Sequence, residues 1–129
     1  MVVITGANGF IGSQMVKELT LQNFHALVAV DSVDLSERNL LKEISPAPRF
    51  LKHDELWSFL KTDEAQKNIS WIIHMGACSS TTETNWDFLK ENNLVYSQKI
   101  FSWCAQYKKS LIYASSAATY GGGENGFSD

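Results

Sequence analysis

The stretch that most constrains this 129-residue chain is "VVITGANGFIGSQMVKEL", Val2 to Leu19. Val2 to Thr5 is a continuous apolar, β-branched run, the pattern of a strand buried on both faces. Ile11, Met15, Val16 and Leu19 then recur at helical spacing on one face. Between the two patterns stand Gly6, Gly9 and Gly12. The turn needs backbone angles that favour glycine. Close approach of a pyrophosphate excludes a Cβ, and a helix N-terminus supplies free N–H groups and a positive dipole end. The last glycine lets the helix pack tightly on the sheet. Asp31 follows Gly12 by 31 − 12 = 19 residues, the place where an acid binds adenosine ribose hydroxyls. Asp31 alone favours NAD. Arg38, a little further on, can face a 2′-phosphate and favours NADP, and position alone leaves both open.

The rest of the chain alternates strands and helices. His25 to Asp31, Arg49 to Lys52, the run from Ser70 and Ser110 to Ala114 form the remaining strands expected. Ser36 to Ile44 is expected to form a short helix that stops before Pro46 and Pro48. Asp54 is the expected N-cap of a helix that turns Leu56, Phe59 and Leu60 inward. Asn85 to Tyr107 is the longest helical pattern, with Leu89, Tyr96, Ile100, Trp103 and Tyr107 near one stripe. Alternation of this kind predicts an α/β, Rossmann-like, doubly wound parallel sheet of five strands. The glycine-rich tail "GGGENGFSD" is expected to be a loop.

Composition narrows the partners. Hydrophobic residues at 44% and charged residues at 19% describe a globular chain rather than a disordered one. The 11 Lys and Arg are scattered without a basic stripe, which argues against nucleic acid. Cys78 and Cys104 lack C-x-x-C spacing, so no metal is expected, and two free thiols suit a reducing compartment. No apolar run approaches the ~20 residues of a membrane span. The N-terminus lacks the charged and apolar regions of a secretory signal, so a cytoplasmic location is expected.

Further motifs carry a resemblance. "TGANGFIG", the "ENN" at Glu91 to Asn93 and the "SSAATYG" at Ser115 to Gly121 resemble extended short-chain dehydrogenases, which modify nucleotide sugars. "GACSSTTE", Gly76 to Glu83, together with "YASSAATYGGGENGFSD", is similar to the branch that epimerises ADP-heptose at C6. The resemblance runs from Met1 to Asp129. It implies an NADP-dependent (alternatively NAD-dependent) isomerase of lipopolysaccharide core heptose synthesis. The C6 hydride would leave and return to the opposite face.

The resemblance also implies roles for residues. Phe10 and Ile11 would meet the pyrophosphate through their backbone, and Asp31 and Ser32 would hold the ribose. Arg38 would face the 2′-phosphate. His53 stands near the adenine where a lysine is expected, with Lys52 beside it. Met75, Gly76, Ala77, Cys78 and Ser79 would line the cofactor after the fourth strand, and Asn92 would meet it from the long helix. Ser116 would be the hydroxyl that hydrogen-bonds the reacting substrate oxygen. Ala117 and Ala118 replace the Asp-Glu of the dehydratase branch, which favours epimerisation. The expected Tyr-x-x-x-Lys pair is missing, since Ile100, Leu111, Ala117 and Glu124 lie four residues beyond the four tyrosines. Residues 1–129 are therefore expected to be an incomplete dinucleotide-binding domain. The Tyr-x-x-x-Lys helix and the substrate domain would lie beyond it, and the full-length protein would be a homo-oligomer. Two alternatives stay open. One is another nucleotide-sugar epimerase or reductase, such as a UDP-hexose 4-epimerase. The other is a non-catalytic dinucleotide-binding module.

Overall fold

A computed structural model describes residues 1–80, 82–124 and 126–127. Four of the residues in the quoted motifs, Thr81, Asn125, Ser128 and Asp129, lie outside the described residues. Strands β1 (Val2–Thr5), β2 (Leu27–Asp31), β3 (Arg49–Lys52), β4 (Trp71–His74) and β5 (Ser110–Tyr113) form one sheet. Its order is β3-β2-β1-β4-β5, and every pairing is parallel. This is the expected Rossmann-like doubly wound sheet.

The apolar runs work as double-faced strands. On one face Val3, Val28, Val30 and Ile72 join Leu56, Phe59, Ile100 and Cys104 in one core. On the other, Val2, Ile4, Ala29 and Ile73 pack with Val16, Leu41 and Ile44. Leu56 and Ile100 are fully buried, and full burial of such a side chain contributes about 1.5–3 kcal/mol. Truncating either to alanine costs about 2–5 kcal/mol. β5 is one of the two edge strands of the described sheet, with Ile112 and Tyr113 exposed.

The helices are α1 (Phe10–Leu21), α2 (Glu55–Leu60), α3 (Asp63–Asn68), α4 (Trp86–Leu89) and α5 (Tyr96–Tyr107). A π-helical turn, Lys90–Val95, joins α4 to α5, and a 3₁₀ turn spans Ala117–Tyr120. No helix among the described residues is long and apolar enough to cross a membrane.

Several local expectations are corrected. Residues 36–44 form turns rather than a helix. Side-chain acceptors capture their backbone: Asp34 takes the Ser36 N–H, Asn39 the Leu41 N–H and Asn8 the Leu40 N–H. Asp54 is helical in its own backbone and makes no cap bond. β2 starts at Leu27 rather than His25. The fourth strand ends at His74, since Met75 to Ala77 turn into the loop below. Ile11 is 65% exposed, and α1 instead buries Gly12, Ser13, Val16 and Thr20. The sequence reading omitted α3. Thr62 caps it by accepting the Ala65 N–H, with Asp63 and Glu64 in its first turn.

Candidate functional site

Strand order reverses about β1, so the loops leaving β1 and β4 diverge above the sheet and open a crevice. A cleft of about 600 Å³ lies there. Its walls hold Gly6, Gly9, Phe10, Ile11, Gly12, Asp31, Ser32, Arg38, His53, Met75, Gly76, Ala77, Cys78, Ser79 and Asn92, all fifteen cofactor residues expected above. Thr5, Val30, Val33, Phe88, Tyr96 and Ala114 complete the lining.

The glycines divide into two kinds. Gly6 has φ +67°, and a Cβ there would stand 2.8 Å from the Gly76 Cα. A Cβ on Gly12 would stand 2.1 Å from the Gly6 carbonyl oxygen. Those two glycines close the fold on itself. Among the described residues a Cβ on Gly9 would meet only that same oxygen, at 3.1 Å, and otherwise project into open space. Helix geometry leaves the N–H groups of Phe10, Ile11 and Gly12 without intrahelical partners. Among the described residues no side chain caps them, and the first turn of α1 holds no acid. The floor of the cleft is therefore a bare, electropositive helix end beside a position where a side chain would take up ligand space, and it fits a pyrophosphate.

Asp31 is 7% exposed and already tied down. Its Oδ2 accepts the Asn8 N–H at 2.9 Å and its Oδ1 the Val33 N–H at 3.0 Å. An ionised carboxylate has about four acceptor positions, so capacity remains for two ribose hydroxyls. Beyond it, Arg38 is exposed at the rim and belongs to no ion pair among the described residues. Lys52 is engaged elsewhere, 2.9 Å from the Asp34 carboxylate. The Ser36 N–H, then Lys52, holds that carboxyl well below the usual range. His53 stacks on Tyr96, with centroids 4.1 Å apart, and desolvation lowers its pKa.

A hydrogen-bonded chain braces the other wall. Gly76 N–H donates to Thr5 Oγ1 at 3.2 Å, and Thr5 Oγ1 lies 2.6 Å from His74 Nδ1. His74 Nε2 lies 2.8 Å from Ser97 Oγ, and Ser97 donates to the Asn93 carbonyl at 2.8 Å. The Ser97 proton is committed, so Nε2 must carry the imidazole proton and donate. Nδ1 then accepts from Thr5. The network assigns His74 as a neutral Nε2–H tautomer. Burial, then the nearby His53, pushes its pKa down to about 4.

The comparisons with known proteins fit this geometry. Residues 2–129 match the NAD dependent epimerase/dehydratase family. The chain belongs to that family. ADP-L-glycero-D-manno-heptose-6-epimerase of Fusobacterium nucleatum is 40% identical over 129 residues, covering 100% of this chain and 39% of that protein. The enzyme of the same name from Nitratidesulfovibrio vulgaris strain DP4 is 40% identical over 131 residues, covering 100% and 40%. The chain thus spans about two-fifths of the length of the curated relatives it matches. A solved UDP-galactose 4-epimerase superposes with a TM-score of 0.69 at 25% identity, over 95% of this chain and 40% of that one. UDP-glucuronic acid 4-epimerase from Bacillus cereus, in complex with NAD, gives 0.72 at 22% identity, over 93% and 41%. At that identity the likeness is one of fold.

Two expected residues of this epimerase/dehydratase family member also make local bonds that the sequence did not indicate. Asn92 lines the cleft as expected, and its Nδ2 donates to the Phe88 carbonyl at 2.8 Å. The asparagine that reaches across to the 75–79 loop is Asn93, which bonds Cys78. Ser116 lies outside the cleft lining, which includes Ala114, the residue that follows β5. It starts the 3₁₀ turn, and its Oγ accepts the Ala118 N–H at 3.2 Å. Thr5, Asn8, His74 and Asn93 were missed in the sequence. A polar residue at the C-terminal end of each of the apolar runs Val2–Thr5 and Trp71–His74 was the available signal for Thr5 and His74.

Proposed function

We propose that this chain is the dinucleotide-binding part of a nucleotide-sugar epimerase that inverts C6 of ADP-heptose, with NADP preferred to NAD. The observation that carries the reading is the pairing of an uncapped α1 N-terminus at Gly9 with Asp31 across one cleft. The names of the relatives, ADP-L-glycero-D-manno-heptose-6-epimerase, supply the substrate. The main-chain N–H groups of Phe10 to Gly12 bind the diphosphate, Asp31 and Ser32 hold the ribose, and Arg38 faces a 2′-phosphate. The 75–79 loop lines the opposite wall. When bound, the dinucleotide supplies reversible hydride transfer. Ser116 holds the substrate oxygen. Its own pull on a proton is too weak to serve as base, so a tyrosine with a depressed pKa beside a lysine has to supply that function.

This sequence contains no Tyr-x-x-x-Lys. The base and the substrate domain are assigned to further sequence, as are assembly into a homo-oligomer and a role in lipopolysaccharide core heptose synthesis in the cytoplasm. A second reading is a module that binds dinucleotide without catalysis. Adding ADP-heptose and following inversion at C6 decides between them. The 129-residue chain is expected to be inactive, and a longer gene product carrying the pair is expected to be active. Inversion by the 129-residue chain alone contradicts the assigned roles. No inversion by a longer product that carries the pair favours the binding module.

A further inference from the structure

Asn8 is fully buried inside the glycine loop, and its side chain is committed to a single segment. Oδ1 accepts the Leu40 N–H at 2.9 Å. Nδ2 donates to the Val33 carbonyl at 3.4 Å and to the Arg38 carbonyl. One N–H donor and two carbonyl acceptors fix which way the amide faces. The Asn8 main-chain N–H meanwhile donates to Asp31 Oδ2. Residues 33–40 contain no helix or strand, and the Asn8 staple reaches both ends of them. Arg38 stands inside that span, at the cleft rim.

We infer that Asn8 is a positioning residue that fixes the place of Arg38 and so sets the preference for a 2′-phosphorylated dinucleotide. The inference rests on the cleft being a dinucleotide site with Arg38 at its ribose end. Asn8 itself touches no ligand. Without its amide, the Leu40 N–H and the Val33 and Arg38 carbonyls lose their shared anchor, and the segment is free to take other arrangements. Arg38 then meets a 2′-phosphate in only a fraction of them.

The test is calorimetric titration of NADP+ and NAD+ into the wild type, Asn8→Ala, Arg38→Ala and the double variant. Arg38→Ala is expected to lower the NADP/NAD affinity ratio about ten- to hundredfold, and Asn8→Ala about three- to tenfold. In the double variant the ratio is expected to equal that of Arg38→Ala alone, because Asn8 acts through Arg38. Amide exchange at Leu40 should also quicken in Asn8→Ala. Asn8→Ser serves if the alanine variant does not fold, and an unchanged ratio in it counts against the inference. A variant at Asn8 that weakens both ligands equally makes the residue merely structural and overturns the inference while the dinucleotide reading stands. An unchanged ratio in Arg38→Ala overturns the inference and the selector role of Arg38 together. No binding of either ligand by the wild type overturns the dinucleotide reading itself.

Discussion

The Asn93 side chain holds both main-chain polar groups of Cys78. Its Oδ1 accepts the Cys78 N–H at 2.7 Å, and its Nδ2 donates to the Cys78 carbonyl at 3.0 Å. A residue of the π-helical turn thereby fixes the loop that forms one wall of the cleft. Asn93→Ala should cost about 1–2 kcal/mol in chemical denaturation and should weaken dinucleotide binding as the 75–79 loop loosens. Asn92→Ala removes only a bond to its own helix, and should stay within about 0.5 kcal/mol of wild type. Equal stability losses for the two variants would contradict the assignment.

His74 predicts a pH dependence. Its folded pKa of about 4 lies below the ordinary 6.5, so between these values the unfolded chain binds the proton and the folded chain does not. Stability is then full above about pH 6.5 and falls as pH drops toward 4. The His74 share is about 3 kcal/mol. His53 shifts in the same direction and adds to the slope. Denaturation of His74→Gln at several pH values should show a shallower slope than wild type. An identical slope would mean that His74 is not buried neutral.

Gly12 and Gly9 separate folding from binding. At Gly12 a Cβ would overlap the Gly6 carbonyl at 2.1 Å, and backbone has to move to relieve it. Gly12→Ala should cost about 3 kcal/mol or more, read as a lowered melting temperature whether or not ligand is present. A Gly12→Ala protein as stable as wild type would contradict the packing described.

Ser116 has a small structural duty and a larger proposed one. Losing its bond to the Ala118 N–H should cost at most about 1 kcal/mol. In a longer product with the Tyr-x-x-x-Lys pair, Ser116→Ala should slow turnover ~10²–10³-fold, the loss seen when one donor at a reacting oxygen is removed. Unchanged kcat would return Ser116 to the role of a turn cap.

The strands and the glycine loop were legible because the backbone itself dictates those residue types. Double-faced burial demands runs such as Val2–Thr5, and the close approach of Gly6 to Gly76 and of Gly12 to Gly6 leaves no room for a Cβ. Asn8, His74 and Asn93 were not legible, because these partners lie 15 or more residues away and only the tertiary fold brings them together. Asn92 was named through the resemblance, and it does line the cleft. The part of Asn93 was hidden by the π turn over Lys90–Val95, which a uniform 3.6-residue period does not anticipate. The 36–44 segment misled for another reason. Its apolar spacing suits a helix, but Asn8, distant in sequence, claims its backbone.

The central claim is that the cleft beside Gly9 holds the pyrophosphate of a nicotinamide dinucleotide. Calorimetry of NADP+ and NAD+ against wild type and Gly9→Val tests it most directly, with melting curves recorded on both. Among the described residues a Cβ on Gly9 meets one carbonyl oxygen, so the variant should fold with a modest stability loss. It should bind neither dinucleotide, while the wild type binds at least one. A folded Gly9→Val protein with wild-type affinity would place the ligand elsewhere and contradict the account.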